Sequence, residues 1–307
     1  MDSTDKSLEA RATPASTNAT HLLAVGFAIL CMLPLVLSWD LAKLSLTLAL
    51  ESDAFSQIPL IPVVSVFLIY RNRQAIFSEV SFGWIIGAAL IAPGMICLLA
   101  ARFNVGRFSS PNQAVLFILG TVVVWMGAFA LFFGAHAFRT AIFPMLFLLF
   151  AVPIPEPILS KVISFLQNES ANAADGFFHL TGVPYLRRGL IFDMPSVSIR
   201  VAQECSGIHS TLALLITTVL AGHLFLKDNW RRAVLLMAVV PIAILKNGLR
   251  IAGLTLLAIY VSPTFLTGKI HHRGGIVFFM IALLPMALLL ILLERGERPR
   301  PVAAERA

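Results

Sequence analysis

The apolar positions of this chain gather into long blocks instead of alternating. In order, the blocks run Leu22 to Leu37, Ile58 to Tyr70, Phe82 to Ala101, Gln113 to Gly134, Thr140 to Val152, Cys205 to Leu226, Ala233 to Val261 and Ile276 to Leu293. A helix needs about 20 mostly apolar residues to cross the hydrocarbon core of a bilayer. Several blocks reach that length, and the pattern predicts about eight transmembrane helices. Leu22 to Leu37 also resembles the core of a signal peptide, but its exit, Ser38-Trp39-Asp40, lacks a small-x-small cleavage pattern, so it is read as a retained first span. The residues from there to Gln57 are mixed in charge and read as a loop.

One region departs from the pattern. Pro157 to Leu180 carries Lys161, Gln167, Asn168, Glu169, Asn172 and Asp175 among apolar residues, which predicts an amphipathic helix at the membrane surface or dipping into the protein. Further on, Val197, Ile199 and Val201 alternate with Ser198 and Arg200, a period of two that predicts a short β-hairpin on the water side. The expected fold is therefore an all-α polytopic membrane protein. A small periplasmic insert, an amphipathic helix and a β-hairpin over residues 156–202, precedes the sixth span. Residues 1–20 read as a disordered cytoplasmic tail, 21–295 as one membrane-embedded domain, and 296–307 as a basic cytoplasmic tail.

Composition agrees with a membrane setting. Of 307 residues 58% are hydrophobic and 13% charged, where a soluble domain is nearer half and a quarter. No sizeable soluble domain is left over. The net charge of +7 is not a nucleic-acid signal, because the basic residues collect between apolar runs as topology charges do. Three cysteines, two of them inside apolar blocks, suggest neither a disulfide framework nor a zinc cluster. No metal or cofactor is expected.

Charge sets an orientation. The clusters Arg71/Arg73, Lys227/Arg231/Arg232 and Arg295/Arg298/Arg300 are expected to face the cytoplasm, and eight spans then put both termini inside. Counted at the helical rise, Cys205 lies roughly 33 Å from Lys227, Arg250 roughly 27 Å from Arg232, and His271 roughly 36 Å from Arg295 if helix continues that far. The hydrocarbon core is about 30 Å thick. A thiol, a guanidinium and an imidazole thus reach one level at the outer boundary, from three consecutive spans. The counting does not say that they point at one another.

Those three groups have a shared chemistry. An imidazole can take a thiol proton, and the thiolate can attack an amide carbonyl to give a thioester. Arg250 offers five donors in a fixed fork for the oxyanion. Cys205 is expected at a helix start, where unpaired N–H groups favour the thiolate. The bland alternatives are a small buried cysteine and an arginine reaching headgroups. Asn247, one turn before Arg250, is placed to orient it or the imidazole. His272 and His209 compete with His271 as the base; on a continuous helix His209 would share a face with Cys205. Glu204 pairs with Arg250 or is simply an acid at a helix start. Lys246 has no clear role. Two further readings are open: a transporter, whose outline also is a bundle of spans, and a non-catalytic assembly factor for polysaccharide export. Polar groups gathered at one face rather than the midplane favour surface chemistry over transport.

Three blocks carry a resemblance. Glu-Cys-Ser-Gly-Ile (204–208), Lys-Asn-Gly-Leu-Arg-Ile (246–251) and His-His-Arg-Gly-Gly-Ile-Val-Phe-Phe (271–279) resemble the signature blocks of the exosortase/archaeosortase family, in the family's order. Weaker similarity covers Phe143-Pro144 to Pro155, Leu166-Gln167, Gly182-Val183-Pro184 and Phe55 to Arg73. The resemblance implies a bacterial inner-membrane cysteine peptidase or transpeptidase. It implies Cys205 as nucleophile, with Arg250 and His271 as its partners. The implied substrates are C-terminal tails of exported proteins, each with a Pro-Glu-Pro motif, a membrane helix and a basic end. An association with exopolysaccharide synthesis is implied too. Two positions depart from the family pattern: His209 stands where an arginine is usual, and Gln57 where a histidine is frequent.

Overall fold

In the computed structural model, residues 17–51, 58–262, 264 and 269–297 are described, with side chains for all of these except 17–22, 51, 204, 205 and 269–276. Gln57, most of the N-terminal tail and residues 298–307 lie outside the described residues. The chain divides into two units, Met1–Pro155 and Glu156–Ala307.

The first unit holds α1 (Thr17–Leu37), α2 (Trp39–Glu51), α3 (Leu60–Arg71), α4 (Arg73–Ile76), α5 (Trp84–Phe103), α6 (Ser110–Thr140) and α7 (Ile142–Phe147), the last running into a 3-10 turn, Leu148–Ala151. Its centre is the antiparallel pair α5 and α6. Glycines at 87 and 94 on one helix and at 120 and 127 on the other let the backbones close. A Cβ at Gly94 would sit 2.9 Å from the Val124 side chain, and one at Gly120 only 2.8 Å from the Gly94 carbonyl oxygen. Without a hydrophobic drive between helices in lipid, such small residues permit the close van der Waals packing that holds them. Toward its end α6 breaks at Gly134, whose φ of 87° suits glycine and whose missing Cβ leaves room for Ser81.

The second unit begins with α8 (Glu156–Thr181), whose buried residues Leu166, Ser170, Ala174 and Phe178 recur every fourth position and so line one face. A three-stranded antiparallel sheet follows, β1 (Leu186–Arg188), β2 (Ile191–Asp193) and β3 (Ser198–Arg200), in the order β1-β2-β3. Then come a 3-10 turn (Gln203–Ser206), α9 (Ile208–Phe225), α10 (Asn229–Met237), α11 (Val239–Tyr260) and α12 (Lys269–Glu297). Two cores organise it. Ala171, Ala174 and Phe178 of α8 pack with Phe192 and Val201 of the sheet region and with Ile251 and Ala252 of α11. Leu214, Leu235, Val239, Ala243, Ala282 and Met286 join α9, α10, α11 and α12.

The sheet is tied to α8 by the polar residues that made α8 amphipathic. Arg187 donates to Asn172 Oδ1 at 2.7 Å and pairs with Asp175 at 3.3 Å. The Tyr185 hydroxyl donates to Asp175 Oδ1 at 2.7 Å. At the other end of the unit the Glu297 carboxylate accepts from the backbone N–H groups of Lys227 (3.0 Å) and Asp228 (2.9 Å), while Arg231 donates to the carbonyls of Leu293 and Gly296, each at 2.8 Å. Arg231 thus closes the end of α12 with its guanidinium, and Glu297 the approach to α10 with its carboxylate.

The structure revises the expected elements in several places. Among the described residues 5 helices are long and apolar enough to cross a membrane, or up to 7 if each of two bent helix pairs is one span, which agrees with an all-α polytopic membrane protein without reaching the expected count of about eight. The second and fifth apolar blocks fold as short helices, Leu60–Arg71 and Ile142–Phe147, because Pro59 and Asn72 bound the first and the second passes at once into a 3-10 turn. The residues read as a loop before Gln57 form α2, bent 84° from the end of α1. The seventh block holds as one span, Asn229–Tyr260, interrupted only locally at Ala238, where Pro241 has no N–H to donate to the Met237 carbonyl. The insert's β structure has three strands instead of one hairpin pair.

Candidate functional site

The first signature block does not open a helix. Val201 leaves the sheet, Ala202 is extended, Gln203–Ser206 make the 3-10 turn, and Gly207 takes a left-handed conformation (φ 72°) before α9 begins at Ile208. Cys205 therefore lies in a tight turn just outside α9 rather than in its first turn. The left-handed residue also breaks the helical register between 205 and 209, so the same-face argument for His209 lapses; His209 is an exposed residue of the first turn of α9. The turn is held by its own hydrogen bonds. The Gly207 carbonyl accepts from Thr211 N–H (2.9 Å), Thr211 Oγ1 (2.8 Å) and Ser210 Oγ (3.0 Å).

The second block lies on α11 and meets that turn. Asn247 is 1% exposed and Lys246 6%. A Cβ at Gly207 would stand 2.9 Å from Asn247 Oδ1, so the glycine seats directly on the asparagine side chain. Asn247 Nδ2 in turn donates to Ser170 Oγ of α8 at 2.9 Å. Lys246 Nζ donates to Ser210 Oγ of α9. Gly248 allows α8 to come this close, since a Cβ there would collide with Ala173 at 2.5 Å. On the upstream side Gln167 Nε2 donates to the Val201 carbonyl. Both flanks of the cysteine turn are thus gripped by side chains of α8 and α11. Arg250, half-buried, follows Asn247 by three residues and Lys246 by four, on the same side of α11.

The third block opens α12, which is helical from Lys269 onward, so the run from His271 to Arg295 is unbroken and spans roughly 36 Å. Ala282 and Met286 seat α12 against α9 and α11. The side chains of Glu204, Cys205, His271 and His272 lie outside those described. The structure thus joins the first two blocks through named contacts and places the third on a helix packed against both. Among the described residues no group of three or more His, Cys, Asp or Glu side chains forms a metal-type cluster.

Lys246, Ser210, Ser170 and Gln167 are the members that sequence reasoning gave no role. For Lys246 and Ser210 the signal was polarity at positions where a helix in lipid should be apolar; Gln167 and Ser170 lie on the helix read as amphipathic, where a polar residue does not stand out. Their partners were hidden, because each reaches a different helix or strand.

The chain matches the model of the transmembrane exosortase family over residues 47–288. No curated protein and no solved structure matches it. All three signature blocks fall inside the matched stretch, which takes in most of both units, and the chain belongs to the transmembrane exosortase family.

Proposed function

We propose that this exosortase is a membrane-embedded cysteine peptidase or transpeptidase that cleaves C-terminal sorting tails of exported proteins at the periplasmic face of a bacterial inner membrane. Cys205 is the nucleophile. His271, or its neighbour His272, takes the thiol proton. The thiolate attacks the scissile carbonyl carbon, and Arg250 with nearby backbone N–H groups stabilises the oxyanion. The C–N bond then breaks, the imidazolium returns the proton to the departing amine, and a thioester remains on Cys205. Water or an amine acceptor releases it. Pro-Glu-Pro tails are the substrates the signature blocks suggest. The tail's own helix would lie among the spans, its basic end toward the Arg295 side, which the charge bias places in the cytoplasm.

One observation carries this reading: the turn bearing Cys205 is seated on the helix bearing Arg250 through Gly207 and Asn247. The test is processing of a co-expressed tailed protein in membranes. Cys205→Ser is expected to abolish tail cleavage, a loss of about a thousandfold or more, with the enzyme still present at normal level. Undiminished cleavage by that variant would remove the thioester mechanism. Mass spectrometry of the processed C-terminus tells hydrolysis from transfer.

A further inference from the structure

Lys246 is a cationic side chain 6% exposed on a helix long and apolar enough to cross the membrane. A lysine held there is costly unless it has a partner, and its partner is informative. Lys246 Nζ donates to Ser210 Oγ, and Ser210 Oγ donates at 3.0 Å to the carbonyl of Gly207. A short polar chain therefore runs from the ammonium on α11, through a hydroxyl on α9, to the peptide that fixes the left-handed turn. On its other side that same glycine meets Asn247. The hydroxyl proton is committed to the Gly207 carbonyl, and the hydroxyl lone pairs face the ammonium.

We propose that Lys246, acting through Ser210, is a positioning residue that locks the Gly207 turn and with it the cysteine two residues before. The inference rests on the reading of Cys205 as nucleophile. Hydrogen bonds in series strengthen one another where the dielectric is low, and the Gly207 peptide plane, with three donors on its carbonyl, has little freedom left. Removing the lysine frees the Ser210 hydroxyl to turn away from the Gly207 carbonyl, which loosens one of its three donors, and displacement of a nucleophile by about 1 Å can cost a hundredfold in rate.

The test uses the full chain in membranes with a co-expressed or added tailed protein. Lys246→Met is expected to lower kcat for cleavage about 10- to 100-fold with KM unchanged within about twofold, at normal protein level and thermal midpoint. Ser210→Ala is expected to lower kcat similarly, and Ser210→Thr, which keeps the hydroxyl, to restore it to within a few-fold. The double variant Lys246→Met/Ser210→Ala is expected to be no worse than Lys246→Met alone, because both cut one chain. Full activity in Ser210→Ala, or losses that multiply in the double variant, overturns the proposal, and this holds even where Lys246→Met does not accumulate. Covalent labelling of Ser210 by a fluorophosphonate also overturns it, since the serine would then be a nucleophile in its own right. If Cys205→Ser still cleaves, the cysteine mechanism fails instead. If Cys205→Ser is dead while a folded Lys246→Met cleaves normally, only the positioning role fails.

Discussion

Two helix pairs in this molecule pack closely, and they do so by opposite means. In the first unit α5 and α6 meet along glycines, with apolar side chains filling the space around them. In the second, α8 and α11 also use a glycine, Gly248 against Ala173, but their seam is threaded by the Asn247–Ser170 hydrogen bond and flanked by Lys246. Small residues suffice to bring helices together in lipid, and interhelical hydrogen bonds there add about 1 kcal/mol each. The polar seam is thus an expensive way to gain a packing that glycine gives cheaply. Polarity is kept where a backbone turn has to be held in one position. On the proposed function, the difference separates a pair that serves stability from a pair that serves chemistry.

The largest expected effect tests the first half of that comparison. Gly120→Leu drives a side chain into the Gly94 carbonyl, 2.8 Å from where its Cβ would stand. Backbone atoms cannot rotate aside, so the helices must part. We expect a loss of about 3 kcal/mol in stability, read as a fall in thermal midpoint in detergent or as failure to accumulate. A normal midpoint would show that α5 and α6 are not held by this seam.

Asn247→Leu tests the other half. The new side chain is close in size, and Ser170 can turn its hydroxyl to a carbonyl of its own helix. Stability is expected to fall by only about 1–2 kcal/mol. Tail cleavage is expected to fall about a hundredfold, because the group on which Gly207 sits no longer has the same shape. Ser170→Ala, which removes only the acceptor, is expected to cost about 1 kcal/mol or less and a few-fold in cleavage. If Asn247→Leu instead unfolded the protein while leaving the surviving fraction fully active, the polar seam would be structural.

The ordering of these effects bears on what was legible in the chain. The glycines of the first seam are visible in the chain, since Gly87 and Gly94, and Gly120 and Gly127, recur at a helical spacing inside apolar blocks, but the helix that each one meets is shown only by the fold. Lys246, Asn247 and Arg250 could be singled out, because charge and amide inside an apolar run are costly anywhere. The turn at Cys205 could not. Its form depends on Gly207 adopting a positive φ, a choice that glycine permits and that the fit against Asn247 on another helix decides. The same limit hid the partner of Lys246. Likewise α2 is hidden, because Asp40, Lys43 and Glu51 give it a mixed charge and Leu44, Leu46, Leu48 and Leu50 alternate with Ser45, Thr47 and Ala49 instead of keeping to one helical face. Local pattern shows which residues are out of place in lipid, and only tertiary packing shows what they hold.

The smallest expected effect lies at the edge of the polar seam, where the sheet is tied to α8. Burial, the hydrogen bond to Asp175 and the charge of that carboxylate together push the Tyr185 hydroxyl up to about 12. An unfolded tyrosine titrates near pH 10. Between these values the folded chain keeps a proton that the unfolded chain has lost, so stability falls as pH rises. The contribution is complete below about pH 10 and is lost on the way to pH 12. Tyr185→Phe removes the titrating group together with one hydrogen bond. Thermal midpoints are therefore expected to favour the wild type slightly at pH 8, and the gap is expected to narrow steadily between pH 9.5 and 11. A gap that stays constant through that range would show that Tyr185 does not keep its proton through Asp175. The tie between the sheet and α8 would then rest on the Arg187 contacts with Asn172 and Asp175.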